Sequence, residues 1–176
     1  CSCENTITDD SDSIDYEVVI NEINYNSLDD DSYPEDWVEL YNPTNETIAI
    51  GLWEFGDEDN AFTIPQNTVL LSGHYLVLCK NSDMFSNVFP SVFDFVGDFE
   101  FGLNGSGELV RLLDSDGLLV DEVEYDDIAP WPTEPDGTGP TLELIDPSLD
   151  NALGENWDAS NAIGGTPGEI NSVVDE

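Results

Sequence analysis

Along most of the chain, apolar positions come in short runs or in strict alternation, and clusters of Gly, Pro, Asn and Asp separate the runs. These runs fall at residues 18–25, 36–41, 48–55, 61–64, 74–79, 92–96, 108–113, 118–125 and 141–145. Each is about the length of a strand, and a period of two sends alternate side chains to opposite faces. A helical pattern stands out at residues 82–89, where Ser82 as cap, Asp83 in the first turn and Pro90 just beyond predict two turns of helix. Many short strands with regular turn punctuation predict an all-β fold, an antiparallel sandwich or barrel.

Two junctions are specific. Asp114-Ser115-Asp116-Gly117 lies between the apolar runs Leu112-Leu113 and Leu118-Leu119-Val120 and predicts a hairpin. Asn42-Pro43-Thr44-Asn45 predicts a second tight connection, because Pro fixes φ and Asn tolerates left-handed backbone. Residues 146–176 are rich in Gly, Pro and Asn and read as irregular coil laid over the sandwich, with Leu149, Leu153, Trp157 and Ile163 as apolar plugs. Residues 1–15 carry Asp9, Asp10, Asp12 and Asp15 among Ser and Thr and predict a flexible acidic tether. The expected organisation is therefore a tether at 1–15, one sandwich domain at 16–172 and a short tail at 173–176.

Charge narrows the functions open to such a fold. Against 40 Asp plus Glu stand 2 Lys plus Arg, for a formal charge of −38 over 176 residues. Nucleic-acid phosphates and anionic membranes are gripped by clustered Lys and Arg, so both are excluded as ordinary partners. High charge often accompanies disorder, yet 39% hydrophobic and 10% aromatic residues suffice for a packed core. No apolar run reaches the roughly 18 residues that a membrane helix needs. The opening Cys1-Ser2-Cys3 fits what remains after a bacterial lipoprotein signal is cut, making Cys1 the lipidation candidate and that lipid the one expected membrane contact. The expected location is outside a bacterial cell, secreted or lipid-anchored. Cys79 ends an apolar strand and reads as a small buried hydrophobe.

The order of several segments adds a family signal. Val19-Ile20-Asn21-Glu22-Ile23-Asn24-Tyr25, Asp36-Trp37-Val38-Glu39-Leu40-Tyr41-Asn42-Pro43-Thr44 and Ile50-Gly51-Leu52-Trp53 resemble the opening strands of a bacterial lamin-tail domain. Gly107-Glu108-Leu109-Val110-Arg111-Leu112, Pro130-Trp131-Pro132, Leu142-Glu143-Leu144, Asn156-Trp157 and Gly165-Thr166-Pro167-Gly168 follow in the order that family shows, so the resemblance covers about residues 16–172. It implies an immunoglobulin-like β-sandwich used as an accessory binding or assembly module on secreted and surface proteins, not as a catalyst. Nuclear lamin tails carry basic surface, and this chain is almost purely acidic, so a nuclear role does not carry over.

Candidate chemistry follows from residue types. The single imidazole, His74, has no Gly-x-Ser-x-Gly elbow, Cys–His pair or His-Glu-x-x-His motif around it, which argues for a non-enzymatic protein. A hydrolase using paired carboxylates is a distant alternative. Ca²⁺ prefers six to eight hard oxygens and suits Asp- and Asn-rich loops. Residues 29–36 link two predicted strands that carry Glu22 and Glu39; if those strands pair, Glu22, Asp36 and Glu39 converge and their repulsion calls for a cation. Asp57 and Asp59 form a second candidate loop, and residues 121–127 a third. Trp53, Trp131 and Trp157 with Tyr33 and Tyr125 are candidates for a sugar-stacking face, hence a carbohydrate-binding alternative with polysaccharide as partner. Asn45-Glu46-Thr47 and Asn104-Gly105-Ser106 fit the glycosylation pattern. The expected function is a non-catalytic extracellular structural or adhesion module that assembles with protein partners or itself, a fibre subunit being one form of such assembly, with Ca²⁺ supporting its acidic loops.

Overall fold

The computed structural model describes residues 18–28 and 33–174. The tether, Cys1, Asp29, Asp30 and Asp31 lie outside that set. Among the described residues the chain runs β1 (Val19–Asn24), β2 (Trp37–Tyr41), β3 (Ile48–Ala49), β4 (Glu54–Gly56), β5 (Ala61–Thr63), β6 (Val69–Leu70), β7 (Tyr75–Cys79), α1 (Ser82–Val88), β8 (Phe95–Gly97), β9 (Glu108–Leu113), β10 (Leu119–Tyr125), β11 (Leu142–Leu144) and β12 (Trp157–Ala159). Six strands form one sheet in the order β12-β11-β1-β2-β7-β8, and four form a second in the order β10-β9-β4-β5. The chain is an all-β sandwich, as its alternation predicts, of the immunoglobulin-like kind that the resemblance implies.

Alternation explains which face each strand buries. In β2, Val38 and Leu40 enter the core between the sheets, and in β7 Leu76 and Leu78 join them. Trp37, Val77 and Cys79 point the other way and form a second cluster with Phe85 of α1. The larger sheet is therefore covered on both faces, which is why β2 and β7 read as nearly continuous apolar runs. Trp37 meets Phe85 and Phe89 edge-on at centroid distances of 6.0 and 6.3 Å. Burial holds the Cys79 thiol in its neutral form, pushing it up to about 12, with Asp98 adding to the effect.

Several expectations are corrected in detail. The run at 48–55 divides into β3 and β4 around a turn in which Leu52 has φ 70°. The helix is capped by Asn81, whose side chain accepts from Met84 N, while Ser82 donates its backbone N–H and hydroxyl to Asp98. The Asn42 connection depends on a buried Asn42 side chain: Oδ1 accepts from Thr44 N at 3.0 Å and Nδ2 donates to Leu70 O at 3.0 Å. The hairpin at 114–117 forms with Gly117 at φ 79°, and Asp114 Oδ1 accepts from the backbone of Asp116 and Leu118. β6 and β12 arise where no strand was expected, because each is only two or three residues long. Of the four plugs, Trp157 is buried and donates Nε1–H to Asn151 O at 2.8 Å, whereas Leu149, Leu153 and Ile163 are exposed. Phe99 and Phe101, outside any strand, stack at 4.8 Å and pack against Phe55 of the core.

Candidate functional site

The most unusual chemistry lies on the outer face of the larger sheet. Val18 and Ile20 point into the core, and so do Ile23 and Tyr25. The phase slips by one residue because β1 contains an irregularity between Ile20 and Glu22. A bulge of this kind lets Asn21 and Glu22 both lie away from the core without exposing Ile23. Glu22 is then the register partner of Glu39 on β2 and of Glu143 on β11. Three glutamates therefore cross three adjacent strands in one row, each with no exposed surface.

What covers them is the C-terminal segment at residues 164–174. Glu22 Oε1 accepts from Thr141 Oγ1 at 2.5 Å and from Thr166 N at 3.1 Å. Glu39 Oε1 accepts from Asn21 Nδ2 at 3.1 Å, and its Oε2 from Gly168 N at 2.5 Å. Glu143 accepts from the hydroxyls of Thr166 and Ser172, each at 2.7 Å, and from Val173 N at 3.2 Å. Asn171 completes the seam, donating to the carbonyls of Asn21 and Leu144 at 3.0 and 2.8 Å and accepting from Asn21 Nδ2 at 2.8 Å. Gly165, at φ 79°, lies against the row so closely that a Cβ there would overlap the Glu22 carboxylate and the Thr141 side chain. This segment is a strap whose hydrogen-bond donors are aimed at carboxylates.

The electrostatics are one-sided. Burial raises Glu22 well above the ordinary carboxylate range, and the charges of Glu39 and Glu143 push it further. Burial also raises Glu39 to about 8, with Glu143 adding to it against the opposing hydrogen bonds from Gly168 and Asn21. Taking a charge out of water costs several kcal/mol unless it is paired, and a proton removes the charge instead. Glu22 Oε2 is buried with no hydrogen-bond partner, the position where a negative charge is least tolerable.

The other predicted residues are dispersed. Asp36 does not join Glu22 and Glu39, because it precedes Trp37 and its side chain turns to the opposite side of β2. There Asp36 Oδ2 accepts from Leu103 N at 2.8 Å and lies 3.8 Å from Lys80 Nζ, which also pairs with Glu35 at 3.1 Å. Asp57 folds back on its own turn, accepting from Asp59 N and Asn60 N at 2.7 Å, and Asp59 is exposed beside it. Asp121 ties the sheets together: Oδ2 accepts from Ile20 N at 2.6 Å, at the β1 bulge, and from Asn151 Nδ2 at 2.8 Å. Among the described residues, no group of three or more His, Cys, Asp or Glu is placed to hold a metal ion. Trp53, Trp131, Trp157 and Tyr125 are buried and present no stacking face, and Tyr33 is half-buried. Asn45, Asn104 and His74 are exposed. Glu143, Thr166 and Asn171 were not singled out from the sequence; a Glu flanked by two core leucines, in Leu142-Glu143-Leu144, was the signal available.

A search of curated proteins found no match to the chain. The family model of the Lamin Tail Domain matches residues 13–127. The matched span includes β1, β2 and both sheets as far as β10, and with them Glu22 and Glu39; β11, β12 and the strap lie beyond it. The sandwich topology, the order of the opening segments and this match together place the chain in the lamin tail domain family.

Proposed function

We propose that this protein is a structural module of the bacterial exterior, acting by contact with other proteins or with copies of itself rather than by catalysis. Membership in the lamin tail domain family and an immunoglobulin-like sandwich fit a non-catalytic structural role. The observation that carries the reading is how the acidic side chains divide. The buried carboxylates Glu22, Glu39 and Glu143 are committed to holding the fold together, as is the partly buried Asp121. What a partner meets is the remainder, on a chain with 40 Asp plus Glu and 2 Lys plus Arg. A surface of one sign repels its own copies unless charge is neutralised, so contacts form through basic partner surfaces or through cations between acidic loops. The residues Asp57, Asp59, Glu108 and Glu124 line one such acidic cleft of about 400 Å³, and Ca²⁺ support of the exposed loops belongs to this proposal.

The edges of the sandwich bear on the mode of assembly. β10 is a seven-residue edge strand, and Asp121, Glu122 and Glu124 lie along it. Charges on an edge discourage direct strand addition by another chain. Assembly through side-chain surfaces is therefore favoured over strand exchange at this edge.

Size-exclusion chromatography with light scattering, at fixed ionic strength and with millimolar Ca²⁺ or Mg²⁺, tests the proposal. Growth in particle mass with Ca²⁺ beyond that with Mg²⁺, or with a polycationic protein as probe, is the expected result. A monomer under every condition, together with retention on an insoluble polysaccharide, would overturn it in favour of a carbohydrate-binding module.

A further inference from the structure

The strap at residues 164–174 lies on three glutamates, and no Lys, Arg or His is among the hydrogen-bond partners that satisfy them. Each strap contact is a neutral donor: the hydroxyls of Thr166 and Ser172 and the backbone N–H groups of Thr166, Gly168 and Val173. Neutral donors stabilise one carboxylate well, but they do not cancel three charges on adjacent strands about 5 Å apart. Glu22 Oε2, fully buried, has no donor at all. A metal does not fill that role: Gly165 packs directly against Oε1 of the Glu22 carboxylate, and among the described residues no group of three or more His, Cys, Asp or Glu is placed to hold a metal ion. The remaining neutralising agent is the proton.

We propose that the C-terminal strap is a proton-dependent latch, docked on the sheet while the Glu22–Glu39 pair retains protons and released from it as they are lost. The groups facing the pair come from four sides. Glu143 on β11 adds a like charge beside Glu22. Tyr75 on β7 neighbours Glu39 and stacks on Tyr41 at 4.7 Å. The strap itself contributes Glu169, which is exposed, and His74 lines the same 350 Å³ cleft as Gly168 and Glu169. α1 contributes an apolar surface, through Phe85, to the neighbouring half of the same face. Apart from His74 at the rim, every titratable neighbour is acidic or phenolic. Raising the pH therefore adds negative charge beneath the strap and has no buried cation to offset it.

The sign follows from linkage. The docked state holds protons that an undocked, solvated carboxylate gives up in the ordinary carboxylate range. Docking is accordingly strongest below that range and weakens as pH rises to about 8, the value to which Glu39 is pushed. For one linked proton the docking constant falls about tenfold per pH unit across that window and then levels off.

Hydrogen–deuterium exchange of the full chain between pH 5 and pH 9, corrected for intrinsic exchange rates, reads this directly. Amides of Gly164, Gly168 and Val173 are expected to lose protection by at least tenfold between pH 5 and pH 8, while those of Val110 and Leu112 in β9 keep theirs. Glu22→Gln and Glu39→Gln, made separately so that one failure to fold leaves the other, are expected to flatten the profile, because an amide side chain is neutral at every pH. Strap protection independent of pH, loss in step with β9, or an unchanged profile in a folded Gln variant would each overturn the latch. Repeating the series at high salt separates it from general repulsion: the strap loss persists, since buried pairs are screened weakly.

Discussion

Single residues carry the seam between strap and sheet, and Gly165 is the sharpest case. Its φ of 79° is one that L side chains rarely adopt, and its missing Cβ is where Glu22 and Thr141 sit. Gly165→Ala adds backbone strain to a direct overlap, each costing on the order of 1–3 kcal/mol. The expected outcome is a lower midpoint in urea unfolding and loss of strap protection even at pH 5, whereas Gly117→Ala, whose Cβ meets nothing within 4 Å, shows the cost of positive φ alone. Residue scale is also where the sequence was least informative. Pairing of β1 with β2 brings Glu22 and Glu39 together, as the sequence predicts, but the same pairing does not bring Asp36 to them. Alternation puts Asp36 on the face opposite Glu39, three positions along the same strand direction, and that argument was available from the period of two.

At the scale of elements, the outer face of the larger sheet divides into two halves with different covers. The half over β2, β7 and β8 is apolar and lies under α1, where Phe85 is fully buried among Trp37, Phe89 and Phe95. The half over β11, β1 and β2 is acidic and lies under the strap. Phe85→Ala empties a space the sheet cannot refill and is expected to cost roughly 3–5 kcal/mol, seen as a drop in Tm and as exposure of Trp37 to fluorescence quenchers. A short helix of seven residues has little stability of its own, so it is held by this contact and by the Asn81 cap. The sequence located this helix to within a residue because its apolar spacing departs from two, and it located nine of the strand-bearing segments because Gly, Pro and Asn mark their ends. It did not locate β6 or β12, which consist of two and three residues and exist through pairing with β3 and β11.

For the molecule as a whole, charge sets the response to solution conditions. Forty acids against two basic side chains favour screening salt, and added NaCl is expected to raise the Tm. The pH response has a definite sign. Glu22 and Glu39 have raised pKa values in the folded state, so their contribution is fully present below the unfolded carboxylate range and is lost as pH rises to about 8. Glu35, Asp57, Asp98 and Asp146, lowered by hydrogen bonds, act in the opposite sense and only below the ordinary range. Urea unfolding at high salt is therefore expected to show greater stability at pH 5 than at pH 8, by more than the ~1.4 kcal/mol that a single pKa unit represents. Equal stability at the two values would contradict the burial of neutral glutamates. In this respect the protein departs from the usual pattern, in which paired carboxylates lose stability on acidification.

The sequence by itself determined the class of fold, the family, most strand positions and the burial of Cys79. These follow from local patterns: alternation, turn chemistry and the order of a few segments. The tertiary structure alone decided which of forty acids are inside. Burial of a charged residue depends on what packs over it, and Glu143 meets Glu22 across 121 positions of sequence only because β11 returns to pair with β1. It likewise decided that Trp131 and Trp157 serve the core, since an aromatic in a loop is exposed or buried according to where that loop is laid. The strap read as coil because its backbone bonds go to side chains of distant strands rather than to a ladder, and no local pattern records such partners.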